Sequence, residues 1–155
     1  MVLVELSSRE MTKDDAIEVL NWRYPPPYEM YNQEESEAGL AELLDGSYQV
    51  VLDQDGCIIG FYCTGFAAQV PKGHEFGVYE KDYVDIGLGM KPELTGRGFG
   101  REFFGYVLKE IGAGSFRLTV AEFNERAIRL YEKFEFVRSD EFYNGDIKFI
   151  VMLRK

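Results

Sequence analysis

Hydrophobic residues recur along this chain with the spacings of strands and helices. Between Tyr83 and Met90, aliphatic residues alternate with tyrosine, aspartate or glycine, which is the period of a strand buried on one face. Further along, apolar residues recur at helical spacing and form one broad stripe. The stripe consists of Phe99, Phe103, Phe104, Val107, Leu108 and Ile111. The pattern therefore predicts a strand followed closely by an amphipathic helix.

Shorter apolar runs, bounded by turn residues, predict the other elements. Thr12 is suited to cap a helix that ends near Asn21, because prolines 25–27 cannot continue it. Asp55-Gly56 and Asn144-Gly145 are favourable corners of β-hairpins. We predict strands over residues 2–6, 47–52, 57–66, 83–90, 115–121, 136–142 and 146–154. We predict helices over residues 12–21 and 33–44, from the end of the PELTGRGFG segment to about residue 111, and over 124–135. A loop is predicted over 67–81.

The order of these elements is β-α-α-β-β-β-α-β-α-β-β. This order favours a mixed sheet with helices on both faces over a purely parallel, doubly wound sheet. We therefore expect an α/β fold with a central mixed sheet of about six to seven strands. A length of 155 residues fits one core, so residues 1–155 are assigned to a single domain.

The balance of charge excludes some partners. Lysine and arginine total 17 against 27 aspartate and glutamate, which gives a formal net charge of -10. Such a surface repels nucleic-acid phosphates and anionic lipids, so we expect neither nucleic acid nor membrane as a partner. It attracts cationic substrates, although an acidic surface also serves solubility alone.

Cysteine usage and the first residues indicate a cytoplasmic protein. Cys57 and Cys63 lie in one strand-like run, where an extended chain holds them about 20 Å apart, beyond the reach of a disulfide. MVLVELSSRE has no basic segment typical of a secretory signal, and no apolar run is long enough for a transmembrane helix. One histidine and two separated cysteines form no recognisable zinc set, so no metal is expected.

Glycines cluster between the alternating strand and the amphipathic helix. At this position the unpaired amides of a helix start form an anion site, and glycine lets a pyrophosphate approach the backbone. The alternative is a tight strand-to-helix turn without a ligand. A P-loop is excluded because no Lys-Ser or Lys-Thr pair follows the glycines. A dinucleotide fingerprint is excluded because Arg101 and Phe103 occupy the positions of its last glycine.

The segment DIGLGMKPELTGRGFG, followed by TVAEFNERAIRLYEKFEF, resembles the GNAT superfamily of N-acetyltransferases. The resemblance covers residues 83–137 well and the preceding half only in the order of elements. It implies acetyl-coenzyme A as the cofactor and acetyl transfer to an amine as the reaction. Thr95 departs from the family pattern, which usually has glutamine or arginine at that position.

The resemblance also implies where the cofactor binds. Backbone groups near the end of the alternating strand would pair with the pantetheine arm, and the glycine loop would hold the pyrophosphate. The implied residues are Leu88, Gly89, Met90, Thr95, Gly96, Arg97, Gly98, Phe99, Gly100 and Arg101, with Asn124 on the pantetheine arm. Asn124 is equally suited to cap a helix. Glycines at 87 and 89 leave room for a ligand backbone, or else mark a bulge or close sheet contact.

Acetyl transfer from a thioester needs a proton for the departing thiolate and a base for the attacking ammonium. Tyr131 matches the tyrosine that the family places on its helix and is the expected acid, although its helical face also suits a core aromatic. Asp85 is the expected base, or else a solvated strand residue, with Glu122 and His74 in reserve. The backbone N–H of Met90 is the expected oxyanion donor. Thr119 stands where ribosomal-protein N-terminal acetyltransferases place a glutamate.

The acceptor is the least defined part of the reaction. In this fold the first helices and the last hairpin shape the acceptor pocket, which implicates Trp22, Tyr24, Tyr28, Tyr31 and Tyr143. Aromatic rings can bind a cation, or they can simply cover the sheet edge. Small amines, aminoglycosides, polyamines and peptide amino groups stay open as acceptors, as do a longer acyl group and a homodimer. A catalytically silent acyl-coenzyme A binder is the alternative function, and a nucleotide-binding module is a weaker one.

Overall fold

The computed structural model describes residues 5–155, and residues 1–4 lie outside the described part. Strands and α-helices follow the predicted order. The strands are β1 (Ser7–Glu10), β2 (Tyr48–Leu52), β3 (Ile58–Thr64), β4 (Val84–Met90), β5 (Phe116–Ala121), β6 (Val137–Asn144) and β7 (Ile147–Arg154). The α-helices are α1 (Lys13–Leu20), α2 (Glu37–Leu43), α3 (Gly100–Ile111) and α4 (Glu125–Lys133). Within residues 5–155, no helix is long and apolar enough to cross a bilayer.

Two boundaries differ from the sequence prediction. The first strand was predicted over residues 2–6, of which 2–4 lie outside the described residues, and β1 instead pairs with β2 from Ser7 onwards. Pairing with β2 at the sheet edge defines β1 over Ser7–Glu10. Helix α2 begins at Glu37, later than position 33, because the Ser36 hydroxyl accepts a hydrogen bond from the Gly39 amide.

The seven strands form one mixed sheet in the order β1-β2-β3-β4-β5-β7-β6. Strands β4 and β5 are parallel, with Asp85 directly opposite Arg117. The pairs β1–β2, β2–β3, β5–β7 and β6–β7 are antiparallel. The expected α/β fold with a mixed sheet is confirmed.

Contacts between residues divide the chain into two compact units, and the boundary passes through β4. Unit 1 comprises the chain up to Cys63 together with Leu88–Ile111. Unit 2 comprises Thr64–Gly87 and Gly112–Lys155. The assignment of residues 1–155 to a single domain stays a prediction.

In unit 1, helix α3 packs closely on β3. The predicted apolar stripe of α3 is buried except for Ile111, which is partly exposed. A Cβ atom added at Gly60 would lie 2.6 Å from the Gly89 carbonyl oxygen and 2.6 Å from the Phe103 ring. Glycine at position 60 is therefore required by close approach of a backbone and an aromatic ring.

In unit 2, the β6–β7 hairpin covers a compact apolar cluster. The cluster consists of Val78, Ala121, Phe142, Phe149 and Val151, all buried. The Phe142 ring stacks on the Phe149 ring at 5.4 Å between centroids. The turn of the β6–β7 hairpin lies at the predicted Asn144-Gly145 corner, where Gly145 has a φ of 63°.

The close approach at Gly60 predicts a large loss of stability on adding one methyl group. Gly60→Ala should lower the free energy of unfolding by about 2 kcal/mol or more, because neither the Gly89 backbone nor the Phe103 ring can withdraw easily. Gly46→Ala is the control, since Gly46 has a φ of 98° and open space around it, and should cost only about 1 kcal/mol. Urea denaturation measures both, and equal losses would contradict the packing argument.

Candidate functional site

The predicted glycine loop follows β4 in unit 1. A 3₁₀ turn over Pro92–Leu94 leads into it, and Gly96 and Gly98 adopt left-handed φ angles of 70° and 86°. A Cβ atom added at Gly98 would meet no atom within 4 Å. Glycine at 98 is thus explained by backbone conformation, and the space beside it is open.

The amides of this loop are available to a ligand. Among residues 5–155, no backbone carbonyl accepts a hydrogen bond from the amides of residues 96–99, and Gly96, Arg97 and Gly98 are exposed. The first amides of α3 are also unpaired, as at any helix start, until Phe103 donates to the Phe99 carbonyl at 3.1 Å. Left-handed turns that point successive amides into open space bind anionic oxygen. The loop therefore fits a pyrophosphate.

Side chains hold the loop in shape from its inner side. The Thr95 hydroxyl donates to the Pro92 carbonyl at 2.7 Å, and Arg97 donates to the Glu93 carbonyl at 3.3 Å. The Phe99 ring is buried. Thr95, which departs from the family pattern, thus has a role in closing the preceding turn.

The end of β4 carries Leu88, Gly89 and Met90, for which pantetheine pairing was predicted. A Cβ atom at Gly89 would lie 2.5 Å from the Phe61 ring. The Phe61 ring therefore fills the space beside Gly89. The sequence left two explanations open for this glycine, and the structure shows the close sheet contact. The Met90 carbonyl accepts a hydrogen bond from the Tyr24 hydroxyl at 2.7 Å.

Helix α4 of unit 2 presents Tyr131 and is capped by Asn124. The Asn124 side-chain oxygen accepts a hydrogen bond from the Ala127 amide at 3.3 Å, so the predicted capping role is present. Tyr131 is only 8% exposed, and its ring lies 6.3 Å from the Phe136 ring. Tyr131 and Ile128 form the buried face of α4. A buried ring with its hydroxyl at one edge suits both roles proposed for Tyr131.

Asp85 forms a buried ion pair. Its two oxygens accept hydrogen bonds from Arg117 at 2.6 and 2.8 Å, and Gln69 donates to the second oxygen at 2.8 Å. Asp85 is 4% exposed, whereas Val84 is 38% exposed. The prediction that the aliphatic residues of β4 form its buried face is therefore wrong at this end of the strand. Each oxygen of this carboxylate therefore already accepts a hydrogen bond from a buried or partly buried donor.

Arg117, the buried partner of Asp85, is the residue near the predicted site that the sequence did not single out. Its guanidinium also donates to the Lys81 carbonyl at 2.9 Å and lies over the Tyr79 and Tyr83 rings. The hydrogen bond with Asp85 raises the pKa of Arg117 although burial opposes this. The available signal was a single arginine inside the apolar strand FRLTVA, which must find a partner when buried.

The reserve bases have other partners in unit 2. Glu122 lies 3.2 Å from the Lys148 ammonium, and the His74 ring stacks between those of Phe66 and Tyr79. The Thr119 hydroxyl is 2.8 Å from the Tyr79 hydroxyl, which accepts a hydrogen bond from the Val70 amide. Thr119 therefore joins a network of hydroxyls at the position where the related branch has a glutamate.

The aromatic residues predicted for the acceptor pocket fall into two groups. Trp22, Tyr24, Tyr28 and Tyr31 belong to unit 1, and Tyr143 belongs to unit 2, where it is 55% exposed. Trp22 is buried against Phe61, with 6.0 Å between ring centroids. Tyr24 contacts Tyr31 edge to face at 6.2 Å.

The other predicted site residues also divide between the two units. The glycine loop and the end of β4 lie in unit 1, and Asp85, Asn124 and Tyr131 lie in unit 2.

The Asp85–Arg117 pair predicts a large destabilisation when only one partner is neutralised. Asp85→Asn should lower the free energy of unfolding by about 3–5 kcal/mol, because the buried Arg117 charge loses its partner. Glu125→Gln, which removes an exposed pair with Arg129, should change it by less than about 1 kcal/mol. Urea denaturation measures stability, and turnover is measured per folded molecule. A stable Asp85→Asn protein that lost turnover would instead support the base role.

Comparison with known proteins gives the family. The model of the acetyltransferase (GNAT) family matches residues 15–136, a span that includes the glycine loop and Tyr131. No curated protein matches the sequence significantly. Solved structures supply the remaining likenesses.

These structures share the fold at low identity. A chimera of spermidine N-acetyltransferase SpeG from Vibrio cholerae and hSSAT is 21% identical with a TM-score of 0.68, covering 96% of this chain and 93% of that chain. SpeG from Vibrio cholerae in complex with manganese ions is 23% identical with a TM-score of 0.65, covering 96% and 91%. A putative acetyltransferase from Acinetobacter baylyi ADP1 is 14% identical with a TM-score of 0.65, covering 97% and 92%. With the family model spanning most of its length, the chain belongs to the GNAT family and is an N-acetyltransferase.

Proposed function

We propose that this enzyme transfers an acetyl group from acetyl-coenzyme A to a primary amine of a small molecule or peptide. The observation that carries the proposal is the run of unpaired amides over residues 96–99, directly before α3, in which residues 96–98 are exposed. Within a family that generally uses acetyl-coenzyme A, such a loop is suited to the pyrophosphate of that molecule.

Coenzyme A would be held mainly by main-chain groups of unit 1. Amides of residues 95–101 would hold the pyrophosphate, and the backbone of Leu88, Gly89 and Met90 would pair with the pantetheine amides. Asn124, whose side-chain oxygen caps α4, would contact the pantetheine arm. Bound acetyl-coenzyme A supplies the acetyl group as an activated thioester.

Tyr131 would hold the proton that the coenzyme A thiolate needs on leaving. A phenol suits this role, since it keeps its proton at neutral pH and can donate it to a neighbouring thiolate. The position of Tyr131 on α4, inside the span that matches the family, supports this role.

The attacking ammonium would lose its proton through water. Arg117 and Gln69 occupy both oxygens of Asp85, so accepting a proton there would break a buried ion pair. Glu122 is exposed but already bound to Lys148. Water with access to solvent therefore suits the base role better than either carboxylate.

A cationic acceptor is favoured by charge. The net charge of -10 raises the local concentration of amines, and the structures that share the fold include proteins named as spermidine N-acetyltransferases. A thiol-release assay over polyamines, small monoamines, aminoglycosides and peptides tests the acceptor. Release without an amine preference would contradict a dedicated cationic substrate, and no release with any amine would favour a silent acyl-coenzyme A binder.

Gly98→Glu should abolish coenzyme A binding, because it places bulk and negative charge where the pyrophosphate oxygens would lie. Gly46→Glu is a matched control, since Gly46 also has a left-handed φ and nothing within 4 Å of an added Cβ. Isothermal titration with coenzyme A should show wild-type affinity for the control and none for Gly98→Glu. Retained affinity in Gly98→Glu would refute this placement of the pyrophosphate.

Tyr131→Phe should lower kcat by about tenfold to a hundredfold or more, because it removes the proton donor and leaves the ring in place. The affinity for acetyl-coenzyme A should stay nearly unchanged. Tyr48→Phe is the control, since Tyr48 is buried to a similar extent at 6% exposure. Steady-state kinetics with the best amine of the panel decide the matter, and wild-type turnover in Tyr131→Phe would remove Tyr131 from the acid role.

A further inference from the structure

The peptide group between Met90 and Lys91 is held from both sides. Its carbonyl oxygen, on Met90, accepts from the Tyr24 hydroxyl at 2.7 Å. Its N–H, on Lys91, donates to the Ile59 carbonyl at 2.9 Å. Because a peptide group is planar, these two hydrogen bonds fix its orientation at the end of β4.

The fixed peptide is continuous with the glycine loop. Leu94 donates to the Lys91 carbonyl at 2.9 Å, and Thr95 donates to the Pro92 carbonyl at 3.1 Å. Hydrogen bonds therefore connect each step from Met90 to Thr95, directly before Gly96. These hydrogen bonds link the Met90–Lys91 peptide to the turn that precedes the open amides of residues 96–99.

Tyr24 is itself held rigidly in the loop after α1. Its amide donates to the Asn32 side-chain oxygen at 2.6 Å, and the Asn32 side-chain nitrogen donates back to the Tyr24 carbonyl at 3.4 Å. Burial, with smaller contributions from Glu93 and Tyr31, raises the pKa of the Tyr24 phenol. The hydroxyl therefore remains a hydrogen-bond donor at every pH where acetyl transfer is assayed.

We propose that Tyr24 is a positioning residue for cofactor binding, acting through the Met90 carbonyl on the end of β4 and the glycine loop. The inference rests on the proposed function, since it concerns the backbone groups assigned there to coenzyme A. It also changes the role expected for Tyr24 from the sequence. A hydroxyl engaged with the main chain would have to break that hydrogen bond before it could contact an acceptor amine.

Tyr24→Phe removes the hydroxyl and keeps the ring. The dissociation constant for coenzyme A, measured by isothermal titration, should rise by about fivefold to tenfold, the factor expected for one lost hydrogen bond. Amide hydrogen exchange should accelerate in residues 88–95. The KM for the amine should stay unchanged. Asn32→Ala, which loosens the Tyr24 backbone but spares the hydroxyl, should give smaller changes in the same direction.

Tyr106→Phe is the matched control, because it removes a unit 1 hydroxyl whose hydrogen bonds within residues 5–155 go to Ser8 and Glu110. It should leave coenzyme A affinity and exchange in residues 88–95 unchanged. An unchanged coenzyme A affinity in Tyr24→Phe, even with a lowered melting temperature, would overturn the proposal by making the role purely structural. A rise in the amine KM alone would overturn it in favour of an acceptor contact.

The two proposals fail in different ways. If wild-type protein does not bind coenzyme A, the proposed function fails, and exchange in residues 88–95 still tests whether Tyr24 fixes the end of β4. If wild type binds coenzyme A but Tyr24→Phe matches it in both affinity and exchange, only the role of Tyr24 fails.

Discussion

The ion pair between Asp85 and Arg117 sets the register of the parallel pair β4–β5. The two residues face each other directly, and both are almost completely buried. A slip of one residue would place the guanidinium opposite an aliphatic side chain and leave two charges without partners in the interior. Several kcal/mol therefore oppose any other pairing of these strands. Strand β4 leads into the glycine loop, and β5 leads towards Asn124.

Much of the fold could be predicted because it depends on local chemistry. Thr12 caps α1 as predicted, Gly145 forms its hairpin turn, and the stripe of α3 is buried at all but its last position. Each of these rests on residues a few positions apart, where capping, turn geometry and periodicity act directly. The glycine loop is of the same kind, since left-handed φ angles at 96 and 98 require the residue type that the sequence shows.

What the sequence could not supply depends on distant partners. Asp85 reads as a polar strand residue until Arg117, far along the chain, is placed opposite it. Tyr24 reads as one aromatic among several in a proline-rich loop, and its contact with the Met90 carbonyl spans most of the first half of the chain. Gly89 suggested empty space, whereas the Phe61 ring fills it. In each case the role of the residue depends on a neighbour that is distant in sequence and that only the tertiary fold brings into contact.

The glycine loop offers main-chain amides to solvent, while the side chains of Thr95 and Phe99 face the protein. Every residue except proline carries the same amide N–H. Binding through main-chain amides therefore depends on the path of the chain and only weakly on the residue types along it. Natural variation at Arg97 or Arg101 would therefore leave the main-chain amides of this loop in place. Proteins that share such a loop can diverge until their sequences are no longer detectably similar, while the common fold remains recognisable in three dimensions.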